Sequence, residues 1–167
     1  MGNEVPPVPA GYRTVTPWIV ARDAAGLIGF LTEAFGATEV ARVLDQDGTV
    51  GHAEVLIGDS VVMLFDAKEE WPDTPAFLRL YVPDGDAVHR RAVAAGAESV
   101  TAMTELFFGD RVGRVRDPWG NLWWIQTHVM DVPPEEMAAA SLEPAQLAAM
   151  RRVQDSLDRE LRSRREP

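Results

Sequence analysis

One order of predicted elements occurs twice in this chain, at an offset of roughly 60 residues. Residues 35–37, Phe-Gly-Ala, close one predicted helix as residues 95–97, Ala-Gly-Ala, close another, and the turn glycine Gly58 falls near Gly120. Each copy has the order strand, helix, strand, strand, strand, so its helix can cover only one face of its sheet. The repeat therefore predicts an α+β fold in which two βαβββ modules pair and form a curled mixed sheet around a shared cleft.

The predicted boundaries divide the chain into an arm, two modules, a linker and an extension. Pro-rich sequence without periodicity indicates that the N-terminal arm is flexible. The parts are the arm at 1–11, a first module at 12–67, a polar linker at 68–75, a second module at 76–128 and a helical C-terminal extension at 129–167. Strands are predicted at 12–21, 37–44, 50–57, 60–66, 76–82, 99–104, 111–116 and 122–127. Asp23 caps the first predicted helix, and Asp84 or Asp86 caps the second.

The extension contains one long predicted helix, from about residue 142 to about residue 162. Its apolar positions form a stripe that is one face wide: Leu147, Met150, Val153, Leu157 and Leu161. Such a stripe docks either on the body of the same chain or on a second chain. Because the repeat is complete without this helix, we expect it to matter for assembly more than for the fold. A homodimer is the expected assembly.

Composition excludes several classes of function. The chain has no cysteine, which excludes disulfides, thiolate metal sites and thiol nucleophiles. No run of about 18 apolar residues is present, so no membrane partner is expected. The N-terminus lacks the pattern of a signal peptide, which favours a cytoplasmic protein. The net charge of -10 argues against a nucleic-acid partner, and it either favours a cationic ligand or serves solubility alone.

Residues 109–128, GDRVGRVRDPWGNLWWIQTH, have the pattern of two short strands joined by a tight turn at 117–121. By the two-residue period of a strand, Arg114 and Arg116 share one face. On the outgoing strand one face carries Leu122, Trp124 and Gln126, and the other carries Trp123, Ile125 and Thr127. Because both faces are largely apolar, we expect a helix layer over one and a ligand cavity over the other.

The string GDRxGxxxDPxGxxW, followed by a Thr-His pair, resembles the last hairpin of the vicinal-oxygen-chelate superfamily. The complete sequence of residues 109–128 resembles the PhnB-like, glyoxalase/bleomycin-resistance branch. That superfamily includes glyoxalase I, extradiol dioxygenases, fosfomycin-resistance enzymes and bleomycin-binding proteins. The resemblance covers roughly residues 12–128 and implies the paired βαβββ architecture. It implies no single reaction, because this fold hosts binders, lyases, isomerases and oxygenases.

The resemblance also implies where a metal would be held. Metal-binding members place one His, Gln or Glu ligand on the first and the last strand of each module. The matching positions here are Thr16, Met63, Phe77 and Trp124. None of these four side chains is a His, Gln or Glu, so none is a ligand of the type that divalent metal ions require. We therefore expect no metal and no other cofactor.

Without those ligands, the predicted cleft is lined by aromatic and cationic side chains. Aromatic rings with a few fixed polar groups are the usual lining of small-molecule pockets. The candidate ligand-binding residues are Trp18, Phe65, Phe77, Arg79, Tyr81, Phe107, Phe108, Arg114, Arg116, Trp124 and Gln126, with Phe107 and Phe108 as a lid. Each has a structural alternative, since aromatics at strand spacing are often core and Arg114 and Arg116 can bridge to nearby acidic residues.

His52 and Glu54 form the one candidate catalytic couple. They share a face of one predicted strand, and a histidine beside a carboxylate can act in acid/base chemistry near neutral pH. The alternative is a polar pair at a sheet edge or at a dimer seam. His89 is expected to be solvated on the second helix, and His128 to hold the end of a strand.

These features favour a metal-independent small-molecule-binding protein of the glyoxalase/bleomycin-resistance type, which sequesters an aromatic or antibiotic-like ligand as in antibiotic resistance. The alternative is an enzyme of the same superfamily, a lyase, isomerase or cyclase that uses His52 and Glu54 or a non-standard metal site. A third interpretation is a regulatory or interaction module that acts through the C-terminal helix.

Overall fold

The computed structural model describes residues 5–164, so the ends of the predicted arm and extension, residues 1–4 and 165–167, lie outside it. The described elements are β1 (Trp18–Ala21), α1 (Ala24–Phe35), β2 (Thr38–Leu44), β3 (Val50–Ile57), β4 (Ser60–Asp66), β5 (Phe77–Tyr81), α2 (Gly85–Ala94), β6 (Glu98–Leu106), β7 (Asp110–Arg116), β8 (Leu122–His128), α3 (Pro134–Ala140) and α4 (Pro144–Ser163). The α+β class, the repeated βαβββ order and the helical extension are confirmed.

The chain divides into two compact units between residues 75 and 76. In the first unit one sheet has the order β1-β4-β3-β2, in which β1 and β4 are parallel and the other neighbours antiparallel. Helix α1 packs on one face of this sheet. Leu27 of the helix and the strand residues Ile19 and Leu64 are fully buried, and they form the core of the unit. The opposite face carries the alternate strand residues.

Aspartate caps begin both module helices. The Asp23 carboxylate accepts a hydrogen bond from the backbone N–H of Gly26, as predicted. Of the two candidates for the second cap, Asp84 is correct, because its carboxylate accepts a hydrogen bond from the Ala87 backbone at 2.9 Å. Asp86 lies two residues further along and binds the Arg111 side chain instead.

The first strand is shorter than predicted and begins at Trp18 rather than residue 12. Pro17 has no N–H to donate to a neighbouring strand, although its carbonyl accepts a hydrogen bond from the Met63 backbone. The residues before it bond locally or by their side chains. The Thr16 hydroxyl donates to the Arg13 carbonyl, for example. Residues 12–17 are therefore an ordered approach to the sheet and not part of it.

The second unit repeats the sheet as β5-β8-β7-β6, with β5 and β8 parallel. Helices cover both of its faces. A Cβ on Gly113 would meet the ring of His89 on α2, whereas the next residue, Arg114, donates to a backbone carbonyl of α4. Successive strand residues point to opposite faces, so α2 and α4 lie on opposite sides. Because α4 packs over β6 and β7 on the second side, the ligand cavity expected beside β8 stays a prediction for the part of the sheet at β5 and β8.

Helix α4 packs on its own unit through a face that overlaps the predicted stripe, since Val153 is buried and Met150 packs against the same cluster. Its residues Ala149 and Val153 are buried in a cluster with Leu106 and Val112 of the sheet. Leu147, from the predicted stripe, is 47% exposed, and so in large part is Leu161 at the other end. The sheet face offers hydroxyl and guanidinium groups as well as apolar ones, so the helix meets it with a partly polar face. The expectation that α4 serves assembly more than the fold is wrong for the face that contains Ala149 and Val153, because this face is buried against its own unit.

Within residues 5–164, every helix is too short or too polar to cross a membrane.

Candidate ligand-binding site

Three aromatic rings lie together in the first unit, and we call Trp18, Phe65 and Trp71 the first aromatic face. The Trp18 and Phe65 ring centroids are 5.2 Å apart in an edge-to-face arrangement, and those of Phe65 and Trp71 are 6.0 Å apart. Trp71 lies in the linker, which Arg22 holds by donating to the Trp71 carbonyl at 2.7 Å. Trp18 is 50% exposed. A large aromatic surface is therefore open to solvent on a rigid sheet.

A cavity of about 550 Å³ adjoins this face, with Phe65 and Trp71 in its wall. Its volume lies within the range of pockets that hold small molecules, about 300–1,000 Å³. The rim is acidic: it includes Asp45, Asp47, Asp66, Glu69 and Glu70, with Lys68 as a cation. The Lys68 ammonium lies 5.4 Å from the Trp71 ring centroid. A second cavity of about 630 Å³ shares part of the same acidic wall. The combination of flat rings and carboxylates suits a planar, positively charged molecule.

His52 and Glu54 are brought together as predicted, and the structure adds a third partner. The His52 Nε2 lies 3.0 Å from Glu54 Oε1, and the Tyr12 hydroxyl donates to Glu54 Oε2 at 2.5 Å. The hydrogen bond from Tyr12, followed by that from His52, holds the pKa of Glu54 below its usual value. The same bond raises the pKa of Tyr12. Glu54 is thus an ionised carboxylate that fixes the orientation of an imidazole.

This trio borders the first aromatic face, because the His52 ring centroid lies 5.6 Å from that of Trp18. Neither Tyr12 nor Trp71 was among the predicted site residues. Tyr12 is 42 positions from Glu54 and belongs to no strand, so spacing could not pair them. Trp71 left one signal, which is a tryptophan inside an otherwise polar linker.

In the second unit, a row of four side chains runs across the sheet. Strand pairing places Arg79, Trp124, Arg114 and Thr101 side by side on β5, β8, β7 and β6. The guanidinium carbons of Arg79 and Arg114 lie 4.4 and 3.9 Å from the Trp124 ring centroid. Phe77 stacks on the same indole, at 6.2 Å and 15°. We call Phe77, Tyr81 and Trp124 the second aromatic face.

The two ends of this row differ in exposure. On the edge strand β5, Phe77 and Tyr81 are 51% and 62% exposed, and Arg79 is exposed between them. Arg114 lies under α4 and donates to the Thr101 hydroxyl at 3.0 Å and to the Val153 carbonyl at 2.8 Å. Burial, with a smaller effect from the charge of Arg79, lowers the pKa of Arg114 to about 10.

Three predicted ligand donors are engaged within the protein. Arg116 pairs with Glu98 and with Glu160 of α4. Gln126 is buried, and its amide nitrogen donates to Asp110. Arg114 anchors α4 as described. The sequence alternative, in which the two arginines bridge to acidic residues of the protein, describes Arg116, whose partners Glu98 and Glu160 are distant in sequence.

The predicted lid residues Phe107 and Phe108 lie in the turn between β6 and β7. Their ring centroids are 5.4 Å apart, edge to face. Phe108 packs against the buried cluster of Val112 and Val153. It is therefore held by the contact between α4 and the sheet and is not a free lid.

The remaining histidines have structural surroundings. His128 lies at the end of β8, as expected, and its ring nitrogens bond to Asp110 at 2.6 Å and to Asp131 at 2.9 Å. His89 is not simply solvated: it lies 3.1 Å from the Ser99 hydroxyl, and burial lowers its pKa.

The side chains do not fit a divalent metal at the positions that the resemblance implied. Thr16 lies before β1, and Trp18 is the residue opposite Met63. On the second sheet Arg79, rather than Phe77, is opposite Trp124. Across residues 5–164, no three histidine or carboxylate side chains converge as a ligand set. Indole, thioether and guanidinium groups are poor ligands for hard cations.

The chain matches the sequence profile of the Glyoxalase/Bleomycin resistance protein/Dioxygenase superfamily over residues 13–125. The chain belongs to this superfamily. Members of the glyoxalase/bleomycin resistance superfamily act on or bind small molecules, so a small-molecule partner is the class that membership supports. The two βαβββ units are those of the superfamily fold.

Individual proteins resemble the chain to different degrees. Protein Mb0911c of Mycobacterium bovis is 39% identical over 137 residues, which span 75% of this chain and 90% of that protein. The crystal structure of TioX from Micromonospora sp. ML1 has a TM-score of 0.60 and 26% identity, and covers 69% of this chain and 98% of TioX. The fosfomycin resistance protein FosX from Mesorhizobium loti has a TM-score of 0.54 and 16% identity over 71% of this chain and 93% of FosX, which shows the fold alone.

Proposed function

We propose that this superfamily member is a metal-independent small-molecule-binding protein that sequesters a planar aromatic or antibiotic-like ligand. The carrying observation is the cavity of about 550 Å³ whose wall includes Phe65 and Trp71. Burying a flat ring against such residues is favourable by about 25 cal/mol per Å² of apolar area, and edge or stacked contacts between rings add about 0.5–1.5 kcal/mol. The half-exposed Trp18 extends this surface.

The acidic rim of the cavity sets the charge that its ligand should carry. Asp45, Glu69 and Glu70 contribute to the wall, and the whole chain has a net charge of -10. Both the local and the long-range field therefore attract a cation. The ligand at the first aromatic face is accordingly a planar molecule with a positive charge.

A matched set of naphthalene probes tests this assignment. Naphthalen-2-ylmethylammonium and 2-naphthamide share one ring system and differ in charge. We expect the ammonium to bind more tightly by calorimetry, and Trp18→Ala to weaken it about tenfold, which corresponds to about 1.4 kcal/mol. Trp119→Ala is the control, since that indole lies in the turn between β7 and β8 and belongs to neither aromatic face. Equal affinity of both variants for the ammonium would contradict the proposal.

We further propose that the chain belongs to the PhnB-like branch, forms a homodimer and is cytoplasmic. The string in residues 109–128 supports the PhnB-like branch. The exposed side chains of Leu142, Leu147 and Leu161 support a homodimer, because apolar residues of this size are commonly covered in an assembly. Molecular mass in solution, measured for the chain and for Leu147→Asp, tests the dimer. A cytoplasmic location is proposed with them.

A second candidate function is an enzyme, a lyase, isomerase or cyclase, and one observation favours it. Glu54 is held by Tyr12 and orients His52, which is the arrangement of a general base with an orienting carboxylate. No described residue bonds to the other nitrogen of His52, and the ring is partly exposed. That nitrogen is free to take a proton from a bound molecule.

Proton abstraction can be assayed without knowledge of the substrate. Cyclic and aromatic ketones are incubated with the protein in deuterated water, and exchange next to the carbonyl is followed by NMR. The enzyme interpretation predicts exchange that is lost in His52→Ala and strongly reduced in Glu54→Gln, while His89→Ala retains it. Exchange at the same rate in His52→Ala would exclude this couple as the base.

A further inference from the structure

The second unit contains two arginines that share one indole and have no acidic partner among residues 5–164. Arg79 and Arg114 both place their guanidinium over Trp124, at 4.4 and 3.9 Å from the ring centroid. Both hydrogen bonds of the Arg114 guanidinium go to neutral oxygens, and among residues 5–164 the Arg79 guanidinium has neither a hydrogen bond nor an ion pair. Two positive charges therefore lie close together without the carboxylate that usually accompanies them.

Unused hydrogen-bonding atoms surround the same indole. The Nε of Arg114 and the Nε1 of Trp124 are buried donors without a partner in the described residues, and Oε1 of Gln126 is a buried acceptor in the same state. Arg114 is 2% exposed and Gln126 is 3% exposed. An unsatisfied buried polar group is unfavourable by about 1–3 kcal/mol. All three atoms are buried, so a ligand at the surface meets the exposed guanidinium of Arg79 first.

The charge of these arginines is at odds with that of the chain as a whole. The chain has 26 acidic residues against 16 basic ones, and other arginines on the same sheet are paired, such as Arg111 with Asp86 and Arg116 with Glu98. Among the arginines on the strands of this sheet, Arg79 and Arg114 are the two without such a partner in the described residues. A site that is kept free of internal acids is suited to an acid that comes from a ligand.

The surroundings favour a flat molecule over a simple inorganic anion. Phe77 is stacked parallel to Trp124 and is half exposed, and Tyr81 is exposed two residues along the same edge strand. A carboxylate offers two acceptors in one plane, which matches the planar fork of an arginine. From this juxtaposition of Arg79, Arg114 and the second aromatic face, we infer that the second unit carries a binding site for a planar aromatic carboxylate.

In this site the carboxylate contacts the exposed Arg79, and the buried charge of Arg114 adds to the attraction across the indole. The aromatic body of the ligand covers Phe77 and Tyr81. The inference rests on the proposed function in requiring that the chain binds planar molecules. It assigns to the second unit a charge preference opposite to that of the acidic cavity of the first unit.

The experiment uses 2-naphthoate and 2-naphthamide, which differ in one charge, together with the naphthylmethylammonium probe. Affinities are measured by calorimetry on the full chain and on Arg79→Gln, with Arg90→Gln as the control. Arg90 is exposed on α2, on the other side of the sheet, and its substitution changes the net charge by the same amount. Arg79 is exposed, so Arg79→Gln is expected to fold as the parent chain does.

We expect the naphthoate to bind about tenfold more tightly than the amide. Arg79→Gln should remove this preference and leave the amide and the ammonium unchanged, while Arg90→Gln changes nothing. Equal affinity for naphthoate and amide in the parent chain overturns the carboxylate site but leaves the proposed function intact. A preference for naphthoate that survives Arg79→Gln also overturns it. Binding of none of the three probes overturns both proposals.

Discussion

Among the described glycines compared for space at an added Cβ, Gly109 has the closest clash with the backbone. It has φ +86°, and a Cβ there would lie 1.9 Å from the carbonyl oxygen of Met130. Its own carbonyl accepts hydrogen bonds from Val129 and Met130, so this turn fixes the chain as it leaves β8. Neither the turn nor the segment after β8 can shift without breaking those bonds.

We therefore expect Gly109→Ala to lower the free energy of unfolding by about 2 kcal/mol or more, measured by urea denaturation. Gly29→Ala is the matched control, because Gly29 lies in the interior of α1 with open space at its Cβ. Alanine there should stabilise the protein by roughly 0.5–1 kcal/mol. Equal effects of the two substitutions would contradict this account of the turn.

The imidazole of His128 gives the end of β8 a dependence on pH. Hydrogen bonds to Asp110 and then Asp131 raise its pKa above the ordinary 6.5. A group whose pKa is raised on folding stabilises the protein fully below its unfolded pKa, and the contribution is lost as the pH rises through its folded pKa. His128→Gln should thus reduce the urea midpoint at about pH 5.5 and much less at about pH 9. The same loss at both pH values would show that only the packing of the ring matters.

At the scale of elements, α4 stabilises the second unit by the side that contains Val153. That residue is 2% exposed within a cluster that includes Leu106 and Val112, whereas Leu147 on the neighbouring side is 47% exposed. Val153→Ala should lower the free energy of unfolding by about 2 kcal/mol, and Leu147→Ala by less than about 0.5 kcal/mol. Urea denaturation measures both. A larger effect of Leu147→Ala, accompanied by a change of mass in solution, would instead favour assembly through that side.

Elements with local signals were predictable from sequence, and those that depend on distant partners were not. The bounds of β3 and β4 follow from alternation and turn glycines, and α1 from its Asp23 cap. The start of β1 was predicted too early because Pro17 ends the ladder. On α4 the buried Val153 lies in the predicted stripe, but the burial of Ala149 and Glu160 beside it was missed, because Thr101, which pairs with Ser156 at 2.7 Å, makes the sheet partly polar at that point.

The candidate site shows the same division. His52 and Glu54 lie two positions apart on one strand, and the period of a strand is enough to pair them. Placing Arg114 under a helix required knowledge of the contact between α4 and the sheet, 39 positions away in sequence. Stacked pairs such as Phe77 and Trp124 depend in the same way on which strands are neighbours.

For the molecule as a whole, we expect no stoichiometric divalent metal. The metal-ligand positions that the resemblance implies include Met63, Phe77 and Trp124. Strand pairing places Trp18 opposite Met63 and Arg79 opposite Trp124, and neither is a metal ligand. The protein is dialysed with Zn²⁺, Ni²⁺, Mn²⁺ or Fe²⁺ and compared with a chelator-treated sample by elemental analysis. Less than about one tenth of an equivalent should remain, because a catalytic zinc normally has three protein ligands. Near-stoichiometric metal that is lost in His52→Ala would favour the enzyme.

The buried turn at Asp117 affects which proteins a sequence search identifies as relatives. Its carboxylate accepts hydrogen bonds from the Trp119 and Asn121 backbones, the Asn121 amide and the Trp123 indole. Asn121 in turn accepts one from the backbone of Ala76, where the second unit begins. The most recognisable residues of this sequence are thus those whose hydrogen bonds hold the turn at Asp117 to the start of the second unit. A sequence search that relies on these residues will find proteins that share the fold but bind different ligands. Classifying those proteins by ligand requires a comparison of the side chains on the exposed sheet faces.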